Sequence, residues 1–315
     1  MKVTFWGVRG SIPSPLTARE VEAKIVTALK GAKPSDLQDD NSIRGYVESL
    51  PLSVRGTVGG NTSCVEVSDG STEIIIDAGS GLRRLGEKLL LGDFGKGKGV
   101  GHILLSHFHW DHIQGIPFFV PAYIPGNRLF FYSPRRRFRS LLENQQNFEN
   151  FPKSFNDLPA DIECVELKAN GSMKMENIAL SWIKLNHPGD SYAYRLESSS
   201  GSLIYATDCE YEILCKEDID RYINFFSGCD ILIFDSMFTP RAAEEHPGWG
   251  HSTAQMGVQI SLKADIKKLV LYHHEPSYDD AKLERICQSA DMKDCNNLKN
   301  KLQVIVAYEG LSLDI

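Results

Sequence analysis

Residues 106–112 read Ser106-His107-Phe108-His109-Trp110-Asp111-His112. Three imidazoles and a carboxylate crowd into six positions of a chain that holds 9 histidines in 315 residues, so the cluster is a metal-ligand pattern rather than a product of composition. Neutral imidazole ligates zinc and similar ions, a carboxylate adds hard negative charge, and the absence of cysteine argues against a closed structural site. The preceding run, Ile103-Leu104-Leu105, reads as a buried strand. Side chains leaving a strand in succession diverge, so the four ligands cannot easily share one ion. Two ions side by side solve this, with His107 and His109 on one and Asp111 and His112 on the other. The bland alternative is a solvated, histidine-rich turn.

An unfinished pair of sites needs further ligands, and the elements that could bring them are strands ending in His or Asp. Leu185-Asn186-His187 and Leu203–Asp208 end that way, and Leu269–Tyr272 delivers His273 with His274 as its rival. Adjacent side chains leaving a strand point opposite ways, so only one of the last two should ligate. Asp77, at the end of Ile74-Ile75-Ile76, is placed to orient a ligand from behind. The turn after it, Gly79-Ser80-Gly81, reads as a tight corner before a helix rather than a phosphate cradle. His251 stands at the mouth of a helix carrying Val258 and Ile260, with Ser252 or Thr253 as cap. Asn61 and Ser252 are candidate substrate contacts.

Between Lys2–Trp6 and Cys64–Val67, both strand-like, lies a different pattern. Val21, Ile25, Val26 and Leu29 have helical spacing behind Thr17 as cap, and a second helix is expected around Ser42–Leu50. Residues 14–56 are therefore read as an inserted helical flap, lid or contact surface, in one domain spanning 1–315. Ser133-Pro134 is expected to start a helix bearing Arg135, Arg136, Arg137 and Arg139, either a phosphate contact or a solvated face. Strands return at Cys164–Leu167, Ile178–Leu185, Ser191–Leu196, Ser202–Ala206 and Ile231–Phe234. A polar helix, Tyr278–Leu302, and a last strand, Val304–Ala307, close the chain. Strand clusters alternating with helices predict an α/β (α+β) architecture of two packed mixed sheets with helices outside.

A net charge of −7 argues against general electrostatic binding to nucleic acid, which is not expected as a partner. Seven scattered cysteines without a C-x-x-C pair indicate neither a disulfide framework nor a zinc ribbon and suit a reducing compartment. The first ten residues lack the apolar core of a signal peptide, and no run is long enough to span a bilayer. A cytoplasmic protein without membrane contact is the expectation, with a homodimer as its candidate assembly.

The H-x-H-x-D-H cluster resembles the second motif of the metallo-β-lactamase superfamily. That resemblance implies an αββα sandwich in which His107, His109 and His187 bind one divalent ion, Asp111, His112 and His273 the other, and Asp208 bridges. Zinc is the first expectation, manganese or iron the alternatives. Gly7–Pro13 and Gly250-His251-Ser252-Thr253-Ala254 resemble the branch that holds ribonuclease Z and the phosphoribosyl cyclic phosphodiesterases. By that likeness His251 gives a proton to the leaving oxygen, steadied by Asp235 where ribonuclease Z has a Glu, and Asp111 also accepts a hydrogen bond from the nucleophile. Ribonuclease Z carries a tRNA-gripping arm between its third and fourth motifs; here His187 and Asp208 are 21 positions apart, room for a hairpin only. The reading is a dinuclear-metal phosphodiesterase acting on a small cyclic nucleotide or cyclic phosphate. A tRNA 3'-processing endoribonuclease, a lactone or ester hydrolase and a non-catalytic nucleotide sensor are the alternatives.

Overall fold

Period-two alternation in the strands decides how the layers stack. In a computed structural model, which describes residues 1–294 and 302–315 with the side chains of 291–294 left aside, fourteen strands form two seven-stranded mixed sheets. The first contains β1 (Lys2–Gly7), β2 (Cys64–Ser68), β3 (Glu73–Ile76), β4 (Val100–Leu104), β5 (Arg128–Ser133) and β6 (Asp161–Glu166). The second contains β7 (Gly171–Met175), β8 (Ile178–Lys184), β9 (Tyr192–Ser198), β10 (Gly201–Ala206), β11 (Ile231–Asp235), β12 (Lys268–Tyr272) and β13 (Gln303–Val306). The last strand, β14 (Ser312–Asp314), returns to pair with β1.

Val65, Val67, Ile74, Ile76 and Leu104 point inward from the first sheet and meet Tyr194, Leu203, Tyr205, Ile233 and Tyr272 of the second in one buried core. Their neighbours Cys64, Ile75, Ile103 and Phe131 face outward under α4 (Leu82–Leu89) and α6 (Phe138–Gln145). Ile204, Leu232, Phe234 and Leu271 likewise face α7 (Lys216–Phe226), α9 (Ala254–Lys263) and α10 (Asp280–Asp294). Burying both faces of both sheets produces the expected αββα sandwich. Strands β3 to β6 run parallel, as do β10 to β13, so each set delivers its carboxyl ends to one edge. Functional residues of open α/β sheets collect there.

Residues between β1 and β2 form α1 (Ala18–Gly31), α2 (Asp40–Ser49) and α3 (Leu52–Arg55). Thr17 caps α1 in a full capping box with Glu20, as its position before the apolar spacing predicts. Neither α1 nor α2 buries a residue, and Val21, Ile25, Val26, Leu29, Ile43 and Val47 all lie exposed. No described helix is long and apolar enough to cross a membrane.

Two expectations are corrected. The arginine run does not start a helix at Pro134: residues 134–137 turn, Arg137 adopts a left-handed φ of 56°, and α6 begins at Phe138. The run is then spent on separate ion pairs, Arg135 with Asp190 and Arg139 with Glu143. The strand near 304 is followed by β14, and β7 was also unforeseen; Gly171-Ser172-Met173-Lys174-Met175 carries little apolar alternation. The closing helix is described to Asp294, and its expected continuation through 301 lies outside the described residues.

Far from the carboxyl edge, Glu66 accepts hydrogen bonds from Trp6 and Lys88 and lies beside Glu73. Burial, reinforced by Glu66, lifts the Glu73 carboxyl to about 8. Unfolded, that group loses its proton near 4.5; folded, it keeps it until about 8, so its contribution to stability is lost as pH rises between the two. Glu73→Gln is expected to flatten this decline, seen as a higher urea midpoint than wild type at pH 8 and a near-equal one at pH 4.

Candidate metal centre

Strand ends place every expected ligand at the same edge. His107 and His109 follow β4, with Asp111 and His112 on the short helix α5 (Trp110–Ile113). His187 follows β8, Asp208 follows β10 and His273 follows β12. Asp77, Asp208 and His273 all take left-handed backbone, with φ of 58°, 59° and 60°. Non-glycine residues held there are strained, and three at one edge is the clustering expected where side chains are re-aimed for function.

The donors converge in two sets. His107, His109 and His187 form one, Asp111, His112 and His273 another, each with ligand atoms within 4.8 Å of one another. His109 Nδ1 lies 3.1 Å from His187 Nε2, His112 Nε2 3.1 Å from His273 Nε2, and Asp111 Oδ2 3.0 Å from His273 Nε2. Two ligand atoms roughly 2.0–2.1 Å from a common ion, separated by 90–109°, stand about 2.8–3.4 Å apart, so the spacing fits shared cations. Asp208 sits between the sets. Its Oδ2 is 3.3 Å from His112 Nε2 and its Oδ1 is 3.7 Å from His107 Nε2 and 3.9 Å from His187 Nε2.

The polar accounting points the same way. Both carboxylate oxygens of Asp208 and Nε2 of His107 are buried without a hydrogen-bond partner among the described residues. A buried carboxylate left so is costly unless it holds a cation. Burial alone would raise the Asp208 pKa, but His273, His112 and His107 hold it well below the usual carboxylate range. Burial keeps His107, His109 and His187 neutral, the last down to about 4, and neutral imidazole is the form that ligates. His112 goes the other way: Asp208, Asp111 and Asp77 outweigh its burial and lift it, so a proton and a cation compete for that ring.

The pair His273 and His274 is separated cleanly. His273 joins the cluster, while His274 donates from Nε2 to the carbonyl of Ala307 at 2.9 Å and stays away from it. Behind the ligands, Asp77 accepts from Ser106 N, Ser106 Oγ, His112 Nδ1 and Tyr205 Oη at 2.7–2.8 Å. Asp77→Asn is expected to weaken metal binding by about 10–100-fold, read as metal retained after dialysis against graded chelator.

His251 lies beside these sets. Its Nδ1 is 2.8 Å from Asp235 Oδ2 and 3.9 Å from Asp208 Oδ1, and Asp235 is itself held by Met237 N at 3.0 Å. Burial opposes charge on His251, yet Asp235 and, behind it, Asp208 and Asp111 lift its pKa to about 9. Thr253, not Ser252, caps α9.

The two expected substrate contacts already hold partners within the fold. The Asn61 amide is spent on Glu309 at 2.9 Å and Ser80 at 3.0 Å. Ser252 Oγ is fully buried, bonded to Cys209 O and Glu212 Oε2 at 2.7 Å and accepting from Tyr211 N. Both brace loops.

Other residues were missed. Glu210 accepts from Gly248 N and Gly250 N, and Glu212 from Thr253 N, so the two acids clamp the loop that holds His251. Their only signal was position, two and four residues after Asp208. Ser11 N donates to Asp111 Oδ2 at 2.8 Å, and Gly10 packs so closely on the His273 ring that a Cβ would come within 2.4 Å of it.

A family model described as the beta-lactamase superfamily domain matches residues 72–274. The chain belongs to the beta-lactamase superfamily. That span contains Asp77 and all seven donors. Among curated relatives, this superfamily member is 23% identical over 227 residues to ribonuclease Z of Picrophilus torridus, covering 58% of this chain and 72% of that one. Among solved structures it is similar to the metallo-beta-lactamase fold protein YhfI from Bacillus subtilis, with a TM-score of 0.64, 18% identity and coverage of 100% and 98%. It is also similar to a diphosphatase from the PhnP family, with a TM-score of 0.61, 19% identity and coverage of 100% and 97%. These structures share the fold. With relatives named ribonuclease Z, the expectation from net charge that nucleic acid is not a partner finds no support in the comparisons.

Proposed function

We propose that this superfamily member is a dinuclear-metal hydrolase that cleaves phosphodiesters of small molecules, cyclic nucleotides or cyclic phosphates foremost. The observation that carries the reading is Asp208, a buried carboxylate with both oxygens unpaired, set where two donor triads meet. His107, His109 and His187 would hold one divalent ion, Asp111, His112 and His273 the other, with Asp208 shared. Such ions, zinc first and manganese or iron otherwise, supply Lewis-acid charge for the nonbridging oxygens and make water acidic enough to attack at neutral pH.

The chain's own residues do the rest. Asp235 fixes Nδ1 of His251 as a donor, which leaves Nε2 to hand a proton to the departing oxygen. Asp111, oriented by Ser11 N, stands where it can also accept a hydrogen bond from the attacking group. A positioned acid is most useful against a poor leaving group such as an alkoxide, which favours a phosphodiester over an activated ester or lactam. The interval from His187 to Asp208 is filled by the β9–β10 hairpin, paired down to Ser198 and Gly201, and this supports a small substrate. Endoribonuclease action on tRNA is the second reading, favoured by the ribonuclease Z relatives.

A panel of bis-p-nitrophenyl phosphate, 2',3'- and 3',5'-cyclic nucleotides, a precursor tRNA, a lactone and a β-lactam, assayed with Zn²⁺ or Mn²⁺, tests both. Cyclic phosphates turned over well above the tRNA support the proposal; cleavage of the tRNA or the lactone alone overturns it. The exposed apolar residues of α1 and α2 would suit a second copy of the chain. Sedimentation of the metal-loaded protein as a monomer would remove the homodimer from the reading.

A further inference from the structure

On the outer side of His251 a pocket of about 440 Å³ opens between the turn after Asp208, the helix α8 (Pro240–Glu245) and α9. Its size falls within the roughly 300–1,000 Å³ of small-molecule sites. His251 and Thr253 form one wall, so the pocket begins at the residue to which the proposed mechanism gives the proton for the leaving oxygen. Nothing in the mechanism uses the remainder.

Its chemistry is one-sided. Ile213, Pro247 and Met256 provide apolar surface, and Ile213 is 59% exposed. The charged residues of the lining besides His251 are Glu210, Glu212 and Glu244, with no lysine or arginine among them. Glu210 and Glu212 are already bonded to the 248–253 loop, but their negative charge remains, and Glu244 is exposed on α8. A phosphate entering here would meet three carboxylates. Gln255 and Gln259 add side-chain amides to the lining. An amide of this kind pairs with the donor and acceptor edge of a nitrogen heterocycle.

We propose that this pocket receives the leaving group of the substrate, and that the group is an uncharged alcohol bearing a nitrogen heterocycle, as a nucleoside does, rather than one carrying a second phosphate. The proposal rests on the phosphodiesterase reading for the direction of bond breaking, while the pocket's selectivity is a property of its own lining. In the reaction the P–O bond to this alcohol breaks as water's oxygen bonds to phosphorus; the proton from His251 goes to the departing oxygen and a proton of the attacking water restores it. An open-chain diester then releases the free alcohol from the pocket, whereas in a cyclic nucleotide the alcohol stays joined to the phosphate through its second ester and leaves with it as the monoester.

Two arms test it, with Ala243→Trp filling the pocket from α8 and Glu244→Lys altering its charge; both sites are outside the metal and acid machinery. In the first arm, metal-free protein is titrated calorimetrically with adenosine and with adenosine 5'-monophosphate. Expected are saturable binding of adenosine, about tenfold weaker binding of the monophosphate, a loss of adenosine binding in Ala243→Trp and a narrowed gap in Glu244→Lys. In the second, kcat/KM is compared for methyl p-nitrophenyl phosphate and its ring-carboxylated analogue. The substrate without the added ring carboxylate should be favoured by about tenfold in wild type and by much less in Glu244→Lys. Thermal melts of both variants guard against a folding defect, and Glu244→Lys alone, exposed on a short helix, suffices for the charge test. Hydrolysis without adenosine binding and without leaving-group discrimination overturns the pocket assignment and leaves the phosphodiesterase reading intact. Adenosine binding abolished by Ala243→Trp, with no phosphodiester cleaved, overturns that reading and the leaving-group role with it.

Discussion

His251→Ala is expected to lower kcat for a substrate with an alkoxide leaving group by about 10²–10⁴, the usual worth of a positioned general acid, while the metal content per chain stays unchanged. The reason is geometric: Asp235 holds Nδ1 at 2.8 Å, and the ring stacks on His273 at 5.1 Å without joining the two proposed donor triads. A p-nitrophenolate leaves without a proton, so the same variant should lose far less activity on bis-p-nitrophenyl phosphate. The contrast between the two substrates separates proton donation from a general loss of structure. His251 also lies within ligand distance of His187 and Asp208, so a fall in metal content would reassign it as a ligand.

Asp208→Asn is expected to have the larger effect, abolishing turnover and dropping bound metal below two ions per chain. The substitution keeps the size of the side chain and removes the one carboxylate that faces both triads. Cations bound to the fold alone raise its stability by mass action, so wild type should melt higher with metal than without. In Asp208→Asn that metal-dependent rise should largely vanish. A variant that keeps two ions and the full rise would show that the triads hold their metals without the shared carboxylate.

Much of this site could be read before any coordinates, because its donors sit where apolar strands stop. Ile103–Leu105, Leu203–Ala206 and Leu269–Tyr272 are apolar enough to declare themselves, and the His or Asp after each is then a strand-end residue. Thr17 was equally plain, since a capping threonine before a helical apolar spacing has few other uses. The choice between His273 and His274 was not open to that reasoning. Alternation ends with Tyr272, and the left-handed backbone of His273 re-aims its ring in a way that no periodicity encodes. Arg135–Arg139 misled because a run of arginines reads as a solvated helix, whereas Pro134 and the left-handed Arg137 make it a turn. Asn61 and Ser252 show a different limit: a polar side chain near a site reads as a ligand contact in the sequence, and only its hydrogen bonds reveal that it also braces a loop. β7 and β14 escaped because edge strands this short, only 5 and 3 residues, draw their order from neighbours rather than from their own sequence.

The reading as a whole depends on two cations sharing Asp208. The most direct test is anomalous diffraction at the zinc or manganese edge from crystals of metal-loaded protein, joined to elemental analysis of the same sample. Two ions per chain are predicted, one bound by His107, His109 and His187, the other by Asp111, His112 and His273, with Asp208 touching both. A single ion held elsewhere, or two ions that leave Asp208 out, would contradict it.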